Sequence, residues 1–125
     1  MGKAFGRTRW IIAEGYIPPT SHGPVPELES HEAVCLLNTG DEDAQVVITI
    51  YYTDHEPVGP YRLIVPARRT QHVRFNNLTD PEPIPKNTPY ASLIEADRPI
   101  VAQHTRLDSR QAENALLSTI AYPCD

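Results

Sequence analysis

The stretch Ala44-Gln45-Val46-Val47-Ile48-Thr49-Ile50-Tyr51-Tyr52-Thr53 decides the fold class. It is built of β-branched and aromatic residues, which suit a pleated, half-buried surface. Extended, it turns Val46, Ile48, Ile50 and Tyr52 one way and Val47, Thr49 and Tyr51 the other. Turn chemistry bounds it on both sides. Asn38-Thr39-Gly40-Asp41 precedes it, and Asp54 to Pro60, with two prolines and a glycine, follows.

The same punctuation recurs outward in both directions. Upstream, Arg7 to Ile17 reads as a strand ended by Pro18-Pro19, and His31 to Asn38 as a short, nearly continuous apolar strand. Downstream, Tyr61 to Val65, Thr70 to Phe75, Tyr90 to Ala96, Ile100 to Asp108 and Leu116 to Tyr122 follow as strands. Asp97-Arg98-Pro99 reads as a tight turn, and Ser109 to Ala115 as a single helical turn. The 13 prolines gather between strands, four in the loop 18–30 and four in the loop 76–89. Proline cannot donate to a ladder, so this placement separates strands with rigid connections. No segment carries apolar residues at the helical spacing over three turns. The 125 residues therefore predict one all-β domain, 1–125, an antiparallel β-sandwich or jelly roll of about eight strands with minimal helix.

The start MGKAFGRTRW has no apolar core and no small-residue cleavage site, and Gly6 stands where a Gly2 myristoylation pattern needs Ser or Thr. No stretch reaches the roughly 18 apolar residues of a spanning helix. Cys35 lies in the apolar run Ala33-Val34-Cys35-Leu36-Leu37, where a buried structural thiol is expected, and Cys124 has no framework to join. These features predict a cytoplasmic protein in a reducing compartment.

Charge is segregated along the chain. Residues 27–56 hold eight acids and no Lys or Arg, whereas residues 57–74 hold Arg62, Arg68, Arg69 and Arg74 and no acid, within a net charge of -5. Either the acidic and basic strands neutralise one another across the sheet, or the arginines form a patch for phosphate or an acidic partner. Chemistry is sparse. There is no phosphate loop, no G-x-S-x-G elbow, no H-E-x-x-H and no C-x-x-C, and no two of the five histidines stand at a metal-fixing spacing. Neither a cofactor nor catalysis is indicated. His104, Arg106 and Asp108 would share one face of their strand. They make either a polar face with an Arg106–Asp108 contact or a ligand- or subunit-contact site.

Several long motifs carry a resemblance. Ala13-Glu14-Gly15-Tyr16-Ile17-Pro18-Pro19, Leu37 to Ala44, Ile48 to Tyr52, Glu56 to Leu63, Val65 to Thr70 and Gln103 to Asn114 are similar to the sensory rhodopsin transducer family. The resemblance runs from about Gly6 to Tyr122. It implies a cytosolic β-sandwich that assembles as a homotetramer, docks on the cytoplasmic side of a microbial sensory rhodopsin, and relays its state to DNA and transcription. For the wider group it implies, as the alternative, a module that binds a sugar or small metabolite without a rhodopsin. No established activity comes with the family. Under this resemblance Asp41, Glu42 and Asp43 are the expected rhodopsin contact, because cytoplasmic faces of membrane proteins carry Lys and Arg. Arg62, Arg68, Arg69 and Arg74 are the expected contacts to DNA phosphate. Tyr51, Tyr52, Tyr90 and Trp10 are candidates for the subunit interface, with the core an equal expectation for Trp10.

Overall fold

The structure, a computed structural model, describes residues 3–125. The Met1-Gly2 start considered for acylation lies outside the described residues. Eight strands follow one another: β1 Arg7–Gly15, β2 His31–Asn38, β3 Ala44–Tyr52, β4 Val58–Val65, β5 Arg69–Arg74, β6 Tyr90–Asp108, β7 Ala115–Ile120 and β8 Tyr122–Pro123. The one helical element among the described residues is a 3-10 turn, Phe75–Asn77.

The pairing is antiparallel throughout and builds a sandwich of two sheets. The first sheet runs β4-β3-β6-β1-β8, and the second runs β5-β2-β6-β7. Strand β6 belongs to both. Its first part, Tyr90–Ala96, lies between β3 and β1; its last part, Val101–Leu107, lies between β2 and β7.

Here the structure corrects the sequence reading. Asp97-Arg98-Pro99 is no turn, because the chain stays extended through it. Pro99 has no register partner, as the β1 pairing jumps from Glu95 to Ile100. The missing N–H thus falls where the strand leaves one sheet for the other, which is where a sandwich corner tolerates it. The Asp97 carboxylate accepts from the Gln45 N–H at 2.8 Å, and Arg98 pairs with Glu42 at 2.9 Å, so the corner is pinned from both sides. Ser109 to Ala115 is likewise a bend rather than a helical turn.

Strand β3 shows why the sheets face each other. Ala44, Val46, Ile48 and Ile50 are fully buried, and the residues between them are not. Ile94 from β6, Tyr61 and Val65 from β4, and Leu36 from β2 close the same core. Each of the Val, Leu and Ile side chains among them contributes on the order of 1.5–3 kcal/mol relative to exposure. Phe75 and Tyr90 meet edge to face at 5.6 Å, and Ile17 and Ile84 from the proline-rich loops cap the end. Gly6 fits where nothing larger can. Its φ is +112°, and a Cβ there would sit 1.9 Å from the Ile100 carbonyl oxygen.

Of the aromatic interface candidates, Tyr90 is core instead, and Trp10 takes its core alternative. Trp10 and Tyr90 are buried, the indole donating to the Arg7 and Ile100 carbonyls at 3.0 Å. Tyr52 is half-buried and stacks on His55, and Tyr51 alone is exposed. Cys35 is half-buried on the outward row of β2, because alternation gives the interior to Val34 and Leu36. Burial still pushes its thiol pKa up.

Candidate functional site

The segregated charge of the sequence is partly cancelled in space, by the pairs Arg68–Asp41 and Arg74–Glu29. The loop after β2 and the turn between β4 and β5 meet at one end of the sandwich. The Arg68 N–H donates to the Gly40 carbonyl at 3.1 Å, its guanidinium reaches Asp41 at 2.6 Å, and Asp43 accepts from the Ala67 N–H at 2.9 Å. Glu42 holds Arg98. The expected rhodopsin contact, Asp41, Glu42 and Asp43, and half of the expected phosphate contact thus form one pole. Arg68 adopts φ 52° there, a left-handed conformation that the bonds to Gly40 and Asp41 hold in place.

The remaining arginines are dispersed. Arg74 pairs with Glu29 at 3.4 Å and donates to the Pro26 carbonyl. Arg69 lies at the far end of the same strand, about 17 Å along it at the usual rise per residue. Arg62 is exposed on the other sheet, opposite Val47. Glu95 pairs with Arg9 at 3.5 Å and with none of these four. Arg62, Arg68, Arg69 and Arg74 therefore form no single cluster within one chain.

The His104-Arg106-Asp108 set divides. Alternation along β6 turns His104 and Arg106 inward, where both meet a residue that sequence reading passed over: Glu32 on β2, 0 % exposed. His104 Nε2 donates to Glu32 Oε1 at 2.6 Å, Arg106 Nε donates to Oε2, and the Tyr90 hydroxyl lies 3.5 Å from Oε1. Burial, followed by the charge of Glu32, drives the Tyr90 pKa far up, so its phenol stays neutral. Asp108 does not meet Arg106. Arg110 binds it with two side-chain bonds, and that hydrogen bonding holds its carboxyl below the usual range. Glu32 carried one signal in sequence, a lone carboxylate inside the apolar run of β2.

Above this cluster the sandwich is open. Strand β7 extends the second sheet beyond the first, and all six of its side chains are exposed. Between β7 and the β1–β8 edge lies a cleft of about 360 Å³. Ile11, Ile12, Leu117, Ile120 and Tyr122 make its walls, with His104 and Arg106 at its base and Glu14 and Thr119 also lining it. Tyr90 closes over Gly15 nearby, where a Cβ would lie 2.5 Å from its ring. A buried charge cluster beneath an apolar cleft is weak evidence for stability, since desolvation offsets the attraction, and better evidence for a site. The arrangement offers hydrogen-bonding and charged groups at the base of an apolar recess. Among the described residues no group of three or more His, Cys, Asp or Glu could hold a metal, and no helix is long and apolar enough to cross a membrane.

Comparison with known proteins points one way. A family model described as the Anabaena sensory rhodopsin transducer matches residues 5–123. A solved structure of the Anabaena sensory rhodopsin transducer is 65% identical, with a TM-score of 0.74, covering 82% of this chain and 100% of that one. A crystal structure of Thermotoga maritima 1070 is 35% identical, with a TM-score of 0.85, covering 95% of this chain and 96% of that one. No curated protein matches.

Proposed function

The chain belongs to the Anabaena sensory rhodopsin transducer family, and from that premise we propose that it relays the state of a microbial sensory rhodopsin by binding rather than by catalysis. The family match over residues 5–123 is the observation that carries this reading. In it the protein works in the cytoplasm as a homotetramer, docks on the cytoplasmic face of the receptor, and passes the signal to DNA.

The shared pole of acids and arginines supports a way for one binding event to affect the other. Exposed ion pairs such as Arg68–Asp41 and Arg98–Glu42 are worth only about 0–1 kcal/mol, so exchange of partners is cheap. Receptor Lys and Arg side chains engaging Asp41, Glu42 and Asp43 would release Arg68 to meet phosphate together with Arg69. Arg62 and Arg74 would join only through repetition of the patch across four subunits, which adds avidity to weak backbone contacts. Edge strand β7 suits the assembly. It has no charge and no proline to guard it, and Leu116 is 71% exposed.

The test is the variant Asp41→Asn/Glu42→Gln/Asp43→Asn. Receptor affinity should fall and its salt dependence flatten, while salt-sensitive DNA binding strengthens. Unchanged affinity would remove this loop from the contact.

The cleft favours a second reading, a module that binds a sugar or small metabolite. Its volume stands at the small end of the roughly 300–1,000 Å³ typical of ligand sites.

A further inference from the structure

We propose that the cleft between β7 and the β1–β8 edge binds a small zwitterion with an apolar body, of the size of a branched-chain or aromatic amino acid. This rests on the small-ligand reading above and names its chemistry. Glu14 lines the cleft with an exposed carboxylate that has no hydrogen-bond or ion-pair partner among the described residues. Arg106 lies at the base. Its Nε is tied to Glu32, and no acceptor among the described residues holds its two terminal amines. One cleft thus presents a free carboxylate and a guanidinium whose fork still has donors to give.

Other ligand classes fit worse. A simple organic acid would meet Arg106 but face the uncompensated Glu14, and an amine would meet Glu14 but face Arg106. A free sugar would reach Glu14, Arg106 and Thr119 with some hydroxyls but set the rest against Ile11, Ile12, Leu117 and Ile120, a costly desolvation. A zwitterion places its carboxylate on Arg106 and its ammonium on Glu14, and leaves its apolar body to those walls and the Tyr122 ring. It also adds no net charge above the buried Glu32–Arg106 pair. Thr119 supplies a hydroxyl on the same wall.

The experiment is a two-dimensional amide NMR titration of the full chain. The probes are L-leucine and L-phenylalanine, with 4-methylpentanoate, 3-methylbutylamine and glucose as controls. Leucine or phenylalanine should shift the Leu117, Thr119 and Tyr122 amides saturably. The acid and the amine, each lacking one charge, should bind at least about tenfold more weakly, the loss expected for one charged hydrogen bond. Glu14→Gln should weaken the amino acid by about the same factor and leave the acid no weaker. Leu117→Trp should fill the cleft and abolish both responses. Both positions are solvent-accessible, so folding is not at risk. Equal binding of acid, amine and amino acid, or an unaffected Glu14→Gln variant, would overturn the zwitterion. Glucose binding in the cleft without an amino-acid response would overturn the class and keep the small-ligand reading. No response to any probe would overturn both.

Discussion

Replacing Arg106 with Met should separate two accounts of the cluster around Glu32. In the native protein Glu32 is 0 % exposed and both of its carboxylate oxygens are engaged. Arg106→Met keeps the aliphatic bulk but leaves the carboxylate with His104 at 2.6 Å and the long contact to Tyr90. Breaking a buried ion pair from one side costs about 3–5 kcal/mol. Against a total of about 5–15 kcal/mol for a domain, that is a large fraction. With a urea slope of about 1–3 kcal/mol/M, the midpoint should fall by about 2 M. Replacing Glu32, His104 and Arg106 together with Leu, Leu and Met removes the charge itself, and apolar substitution of such clusters is often neutral or stabilising. The triple variant should therefore recover to within about 1.5 kcal/mol of the native protein, or exceed it. Equilibrium urea unfolding by Trp10 fluorescence, at matched slopes, measures both. A loss below about 1 kcal/mol in Arg106→Met would refute the desolvation reasoning. A triple variant as unstable as the single one would show that the cluster is held for the fold rather than for the cleft above it.

Further expectations follow from burial, backbone and ionisation. Ile48→Ala should cost about 2–5 kcal/mol and Ile64→Ala, on the exposed face of β4, about 0.5 kcal/mol or less, measured by the same unfolding. At Arg68, whose φ is 52°, Gly should be more stable than Ala by about 1 kcal/mol, since both lose the bond to Asp41 and only Ala keeps the strain; equal stabilities would contradict this. Burial raises the Tyr61 pKa to about 12, and its hydroxyl donates to the Glu82 carbonyl at 2.6 Å. A raised folded value favours the protonated form, so its contribution is complete below the unfolded value near 10 and is lost as pH rises from there to about 12. Alkaline titration at 295 nm should show Tyr61 ionising later than the exposed tyrosines, and Tyr61→Phe should flatten the fall of stability over that window.

The strands were legible because the period of two is written plainly in β3, and because proline and glycine mark the breaks between strands. Two features were not. Asp97-Arg98-Pro99 has the composition of a turn, and only the sheet-to-sheet passage of β6 leaves Pro99 without a ladder partner and so tolerates it. Which charges pair was equally invisible, because Asp41 and Arg68 are joined by loop docking rather than by neighbouring positions in the chain. Within the candidate site, alternation placed His104 and Arg106 on one face correctly. It could not supply Glu32, 72 residues from His104, nor exclude Asp108, whose own loop provides Arg110 as a nearer partner. The cleft walls come from β1, β7 and β8, which only the closed sandwich brings together.

Binding to the receptor tests the central claim most directly. The protein would be titrated against a microbial sensory rhodopsin in nanodiscs, by calorimetry, in the dark and under illumination. Saturable binding that weakens with added salt and changes in affinity between dark and light is the predicted result. No binding at micromolar concentrations, or the same affinity in both states, would contradict the account.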